Sequence, residues 1–423
     1  MLQANELVDN MDHSKRSLVF VESNTSGTGR LFVRAAAQCG YLPVLLAKDP
    51  SKYSYVHQDS IDYVSCDTSS MQELQKIAEK LMLNGGIAGI FSSSEYFIET
   101  AAALSRIYGL PGNDPAALKT CRNKWLQRTR LQAAGFLTPK FRLITFIHEV
   151  DELLQAIELP VVLKPPVGTG SVGVKLCVTK EEVIEHATQL LQRTVNERNM
   201  PVLPAVLAEE YLQGPEFSVE TFGDQVVGIT KKHLSHEPFF VETGHDFPAD
   251  LGPEASGSIN ETVLKALRCL GLLWGPAHTE LRWTVNGPAI IEINPRLGGG
   301  FIPELVRLAT GADMIRETVK LAAGNIAGVD HARKEFASIR FLVPLRNGII
   351  RGIKGINEAL QIEGMVDIQI YKKMGEQITL QNDFRDRIGH VISHSSSRHL
   401  ATRAAEAALS TIDIETSQMA ANF

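Results

Sequence analysis

Cysteine is scarce in this sequence of 423 residues: five stand at Cys39, Cys66, Cys121, Cys177 and Cys269, an odd number with no C-x-x-C pair. That spacing writes neither a disulfide framework nor a zinc site, and it points to a reducing, cytoplasmic setting. No run approaches the ~18 consecutive apolar residues of a membrane helix. The opening MLQANELVDNMDHSKR is polar, reads as a disordered tail and lacks the apolar stretch of a signal peptide. A basic excess is missing too: Lys+Arg 42 against Asp+Glu 48 gives a formal net charge of −6. Electrostatics therefore favours neither nucleic acid nor a membrane surface as a partner. No internal repeat or low-complexity tract is present. What remains is 44% hydrophobic and 21% charged, ordinary for a chain that buries a core. Its length suits two or three domains at about 100–200 residues each.

The chain opens as α/β. Ser17–Glu22 (SLVFVE) reads as a strand, SNTSGTGR as a loop, and a helix follows from about Arg30 to Cys39, then a strand at Pro43–Ala47. A glycine-bearing turn at a helix N-terminus suits an anion. A dinucleotide fingerprint would fit Asp49 as the ribose acid, but Phe32 stands where the third glycine after Gly27-x-Gly29 belongs. A nicotinamide dehydrogenase is therefore disfavoured. Further strands are expected near Tyr63–Cys66 and Ile87–Ser92. The loop Ser92-Ser93-Ser94-Glu95 then lies at a strand C-terminus, where open parallel sheets bind ligands. Asp114 as N-cap and Pro115 at the first helical position start a helix expected to run to Gly135. Its Lys119, Arg122, Lys124, Arg128 and Arg130 read as a solvated basic face.

Pro160–Lys164 predicts a strand leading into PPVGTGSVGV, whose Gly168, Thr169, Gly170, Ser171 and Gly173 offer N–H groups and hydroxyls to phosphates. It is not a P-loop, because Val174 replaces the lysine, and a flexible hairpin turn is the bland alternative. A helix is expected at about 180–198 and a strand at Ala205–Glu210. The run AEEYLQGPEF then reads either as a surface edge or as a nucleotide-base hinge with Glu216 on the ribose. The His- and aromatic-rich VVGITKKHLSHEPFFVETGHDFPA reads as a loop over a site. Next, PAHTELRWTVNGPAIIEINPRLGGG predicts a hairpin turning at Asn286-Gly287. Period two puts Ile291 and Ile293 on one face and Glu292, Asn294 and Arg296 on the other. If Glu280 stands opposite Glu292, a three-residue loop Val285-Asn286-Gly287 results, and the facing carboxylates repel unless a divalent cation lies between them. A solvated hairpin face is the alternative. Helices at Pro303–Thr310 and Asp313–Ala323 follow. Beyond about 335 come a strand at Phe336–Pro344, a glycine-studded turn region at Gly348–Gly355, a short helix at Glu358–Gly364, strands around 366–371 and 387–393, and a helix at about 398–410. No chemistry is assigned to that third module.

The order of these motifs is more specific than any one of them. Lys124, then Lys164 with its glycine loop, the EEYL hinge with Glu216, Glu280, and Glu292-x-Asn294-x-Arg296 resemble the ATP-grasp superfamily from about residue 15 to at least 330. The twelve-residue step from Glu280 to Glu292 and the EINPR run are similar to the metal hairpin of biotin carboxylases and their relatives. ESNTSGTG, FFVETGHDFPA, EINPRLGGG and RFLVP make the layout most similar to L-amino acid ligases and other carboxylate–amine ligases. EINPRLGGG departs from biotin carboxylase beyond its arginine.

The resemblance implies a multidomain α/β and α+β chain with an ATP-grasp fold. It comprises an N-terminal parallel α/β domain (1–113), an ATP-grasp domain (114–330) with a glycine-loop lid at about 136–212, and a C-terminal α+β module (331–423). It implies ATP and two Mg2+ ions, with Mn2+ able to substitute. Lys124, Lys164, Lys232 and the loop residues would contact phosphates, and Glu209, Tyr211 and Leu212 the adenine. Glu280, Glu292 and Asn294 would bind metal, Arg296, Lys164 and Glu292 would serve catalysis, and Glu242, His245, Arg296, Gly298 and Gly299 would form the substrate pocket. The expected activity joins a small-molecule carboxylate, activated as an acyl-phosphate, to an amine in a cytoplasmic homodimer. A one-carbon-acid enzyme and a non-catalytic ATP-binding module are the competing readings; the latter predicts missing metal ligands.

Overall fold

The structure is a computed structural model describing Met11, residues 14–25 and residues 27–417; the N-terminal tail falls mostly outside these. Near the N-terminus, β1 (Ser17–Val21), β2 (Leu42–Ala47), β3 (Asp62–Ser65) and β4 (Ile87–Phe91) form a parallel sheet ordered β3-β2-β1-β4. Every β1 residue is buried, as expected of a strand covered on both faces. Helix α1 (Thr28–Gln38) starts earlier than its apolar pattern suggests. A Cβ on Gly29 would lie 1.9 Å from the Asn24 carbonyl oxygen, so only glycine permits so tight an entry.

The single helix expected after Asp114 is two. Asn123 leaves helical geometry and caps the second, its side chain accepting from the N–H groups of Trp125 (3.0 Å) and Leu126 (3.3 Å). Hence α2 is Pro115–Arg122 and α3 is Lys124–Ala133. The inner face of α3 is Lys124, Gln127, Arg128 and Leu131, so Lys124 and Arg128 lie in the interior rather than on a solvated face.

An antiparallel sheet of β5 (Phe141–Ile144), β6 (Val161–Lys164), β7 (Lys175–Cys177) and β8 (Val206–Glu210), ordered β5-β8-β6-β7, carries the glycine loop between β6 and β7. Helix α4 (Lys180–Leu191) covers it but stops short of residue 198. Asn196 turns the chain there, its side-chain oxygen accepting from the N–H groups of Arg198 (2.9 Å) and Met200 (3.0 Å).

The largest sheet comprises β9 (Glu216–Phe222), β10 (Gln225–Leu234), β11 (Glu242–Phe247), β12 (Pro276–Thr284), β13 (Gly287–Asn294), β14 (Phe336–Leu342), β16 (Met365–Ile370) and β18 (Gly389–Ser395). Its order is β13-β12-β9-β10-β11-β14-β18-β16. The His-rich stretch expected as a loop is mostly the β10 and β11 ladder. Lys232 and His245, paired across it, are buried polar groups that hide the strand's alternation. Likewise Gly348–Lys354 is a strand, β15, paired with β17 (Gln377–Ile378) and β19 (Asp413–Ser417). The short helix expected at 358–364 lies at Ile356–Leu360. The sheet continues from the hairpin into the C-terminal strands, and one core joins Leu18 and Phe20 to Leu305, Ile339 and Phe341. All five cysteines are free. No helix among the described residues is long and apolar enough to cross a membrane.

A buried charge knits the seam between β10, β11 and β14. Asp246 accepts from Arg340 Nη1 at 2.8 Å and lies 2.6 Å from His233 Nε2. Burial works to raise its pKa, but His233 and Arg340 outweigh this and hold it below the usual carboxylate range. A depressed carboxyl pKa stabilises the fold above the unfolded-state pKa, and that stability is lost as pH falls toward the folded-state pKa. Asp246→Asn is therefore expected to cost about 2 kcal/mol at neutral pH. The melting-temperature gap to wild type should shrink below about pH 4; a gap constant with pH would refute this account.

Candidate active site

Glu280 does stand opposite Glu292, and His278 opposite Asn294. The turn, however, is shorter than expected: Thr284 pairs with Gly287 around Val285-Asn286, and the register shifts between Glu280 and Leu281, which faces Ile290. Ile291 is the residue taken up by that bulge. Ile290 and Ile293 consequently enter the core while Ile291 lines the cavity, which corrects the expected pairing of Ile291 with Ile293.

The two carboxylates are compensated by cations. Glu292 lies 2.9 Å from Lys124 Nζ; Glu280 lies 3.0 Å from Lys232 Nζ and 3.2 Å from His278 Nε2. His278 is anchored by Glu220 at 2.8 Å. Burial pulls its pKa down, but Glu220 and then Glu280 push it up to about 10, so the ring is an imidazolium. Lys232 also reaches Glu216 (2.8 Å) and Glu242 (3.0 Å), and these carboxylates hold it well above its ordinary pKa despite burial. Glu280, Glu292 and the adjacent Asn294 form an oxygen-only donor set facing the cavity. Such a set fits Mg2+, with a ligand's phosphate oxygens completing its shell. The ammonium and imidazolium groups mark where positive charge is wanted.

The cavity measures about 1290 Å3 and draws walls from every part of the chain. From the glycine loop come Gly168, Thr169, Gly170 and Ser171, and from the hinge Tyr211 and Leu212. Lys124 Nζ donates to the Gly168 carbonyl at 2.8 Å. Lys164 pairs with Glu209 at 2.6 Å, and Glu209 pairs in turn with Arg128 at 2.8 Å. Burial lowers the Lys164 pKa, Glu209 opposes this, and Arg128 adds to the lowering. Both Glu209 oxygens are thus engaged. At the hinge, Arg282 donates to the Leu212 carbonyl (2.6 Å) and to Glu216 (3.3 Å), with its guanidinium 5.0 Å from the Tyr211 ring centroid. The Leu212 carbonyl is thus already engaged.

Arg296 ties three segments together, donating to Glu95 at 2.5 and 3.0 Å and to the Thr169 hydroxyl at 3.1 Å. Glu242 and Gly299 also line the cavity; Gly173, His245 and Gly298 do not. His245 is fully buried behind the wall, bonded to the Gly300 carbonyl (3.1 Å) and Glu242 (3.2 Å). Gly298 backs the ion pair, since a Cβ there would lie 2.9 Å from His278 Nδ1. The Gly173 carbonyl lies 3.0 Å from His186 Nε2.

Several cavity residues have no forewarning in the motifs. Arg387 pairs with Glu242 at 2.5 Å and lies 4.2 Å over the Phe341 ring; Tyr371 and Phe384 stand nearby. The C-terminal module, to which no chemistry was assigned, therefore supplies one wall.

Comparison with known proteins follows the same lines. An ATP-grasp domain profile matches residues 157–304, and an L-amino acid ligase C-terminal domain 2 profile matches residues 340–417. The chain is 38% identical to an uncharacterized protein of Sinorhizobium fredii over 95% of this chain and 83% of that one. It is 26% identical to carnosine synthase 1 of Mus musculus over 70% of this chain, but that match spans only 39% of the relative's length. Among solved structures, an L-amino acid ligase from Bacillus licheniformis shares the fold with a TM-score of 0.79 at 21% identity, over 95% of this chain and 99% of that one.

Proposed function

We infer that this chain, which belongs to the ATP-grasp family and carries an L-amino acid ligase C-terminal domain, joins a carboxylate to an amine at the expense of ATP. The observation that carries the reading is the pairing of Glu280 with Glu292 in one cavity with Lys124, Lys232 and the glycine loop.

Two Mg2+ ions held by Glu280, Glu292 and Asn294 would neutralise phosphate charge. Lys124, Lys164, Lys232 and the loop N–H groups would hold the phosphates, while the Leu212 N–H and Glu216 address base and ribose. A substrate carboxylate oxygen attacks the γ-phosphorus and ADP leaves. Next, the amine nitrogen attacks the acyl-phosphate carbonyl, phosphate departs, and the nitrogen gives up its proton. Phosphoryl transfer asks little covalent help of a protein and much positioning and charge neutralisation. Arg296, beside Thr169 at the loop, would stabilise the transferring group. The glycine loop would exclude water, which otherwise hydrolyses the acyl-phosphate.

The test is ADP release from Mg-ATP across pairs of amino acids, with bicarbonate in a separate arm and mass spectrometry of active wells. Pair-dependent ADP with a product one water lighter than the two acids is the expected result. ADP with bicarbonate alone would replace the ligase by a carboxylating enzyme, and nucleotide binding with no turnover by any pair would favour a non-catalytic module.

A further inference from the structure

Charge in the cavity is balanced almost everywhere. The lysines and arginines described above each face a carboxylate. On the rim, Arg30, Arg307 and Arg385 are taken by Asp59 (2.6 Å), Glu304 (2.6 Å) and Asp383 (2.5 Å). Arg198 differs. It lines the same cavity, yet among the described residues its side chain makes no ion pair. Its Nη1 donates to the Ser23 carbonyl at 3.3 Å, and its guanidinium lies 5.8 Å from the Tyr96 ring centroid. The phenols around it, Tyr53, Tyr55 and Tyr96, stay neutral, because burial raises the pKa of each.

The position is built. Arg198 sits at the tip of the turn after α4, which the Asn196 side chain ties and a bridge between Val195 and Pro201 closes. Neighbouring Glu197 accepts from the Tyr96 hydroxyl, docking the tip on the N-terminal sheet. Tyr96 follows Glu95, the partner of Arg296. Arg198, Tyr96, Glu95 and Arg296 all line this one cavity.

We propose that Arg198 receives the carboxylate of the amine-bearing substrate, so that the nucleophile is an amino acid rather than a simple amine. This rests on the ligase reading above. A half-buried guanidinium without an ion-pair partner, though Glu22 and Glu197 lie around the same phenols, gains most from a ligand carboxylate, which it can grip through two N–H groups. The chemistry selects which carboxylate. The acid being activated loses its charge in the acyl-phosphate and then in the amide. The carboxylate on the amine partner keeps its charge from binding to product release, so it alone requires a standing cation.

The test offers L-alanine and L-phenylalanine beside L-alaninamide and L-phenylalaninamide as nucleophiles, with the best activated acid from the ADP screen held fixed. Wild type should favour the free acids over the amides by about tenfold or more in kcat/KM, the worth of one charge-assisted hydrogen bond. Arg198→Met should bring that ratio near unity, and Arg198→Lys should restore part of it. General damage to the fold lowers both arms and leaves the ratio intact, so an unchanged ratio overturns the proposal. A binding arm separates this inference from the ligase reading: thermal shifts of the Mg-ADP complex with the same four compounds. Discrimination by wild type that Arg198→Met abolishes supports the site even if no pair is ligated. Ligation without discrimination sinks the site and leaves the ligase.

Discussion

Glu292→Gln is expected to lower ADP release by about three orders of magnitude while leaving the melting temperature within a few degrees of wild type. The substitution keeps the shape of the side chain and removes one negative charge from the cavity face of β13. What it removes is what a cation and its phosphates require, since Glu292 and Glu280 are the facing pair of the hairpin. What it leaves is enough for folding. Lys124 keeps the Gly168 carbonyl at 2.8 Å and the attraction of Glu95, which together with Glu292 raises its pKa against the opposing effect of burial. The hairpin core is Ile290 and Ile293, which the change does not touch. A coupled ADP assay at saturating Mg-ATP, beside a thermal melt, decides the matter. Turnover within tenfold of wild type would remove Glu292 from the metal site, and a collapsed melt would make it structural.

How much of this was legible in the sequence depended on whether local pattern carried it. The Glu280–Glu292 pairing holds through two offsetting departures: the turn around Val285-Asn286 is one residue shorter than the expected loop, and the bulge restores the register. The bulge at Ile291 has no local signal, since one extra residue costs a strand nothing in composition. The β10 and β11 ladder read as a loop for a different reason. Lys232 and His245 break the apolar alternation because they face a charged interior, where polar groups are paired rather than solvated. Arg387 had no local signal at all. It reaches Glu242 through the sheet order β11-β14-β18, which joins segments far apart in the chain. Arg128 did have one, in its i, i+4 spacing from Lys124, which places both on one face of a helix. Read together with Lys119 and Arg130, it was lost in the count of basic residues.

That overlooked arginine carries the largest stability effect expected here. Arg128 is wholly buried, donates to Glu209 at 2.8 Å and to the Ile291 carbonyl at the bulge, and so ties α3 to β8 and to the β12–β13 hairpin at once. Its Nη1 has no partner among the described residues, so the guanidinium is held by geometry rather than by full satisfaction. Arg128→Met leaves Glu209 with Lys164 as its sole cation and the Ile291 carbonyl without its donor. Breaking a buried pair from one side costs about 3 kcal/mol or more. In a domain of this size that is roughly 5–10 °C in melting temperature. The same change should raise the KM for ATP by about tenfold, one decade for each 1.4 kcal/mol, because Lys164 is drawn toward Glu209 when nothing shares that carboxylate. Arg128→Lys separates the two consequences: one ammonium can share Glu209 but cannot also reach the Ile291 carbonyl, so the ATP affinity returns while stability returns only in part. Arg130→Met, on the exposed face of the same helix, is the control and should move neither quantity. A variant at Arg128 that melts and binds ATP like wild type would mean that the hairpin and hinge hold their places without this tie.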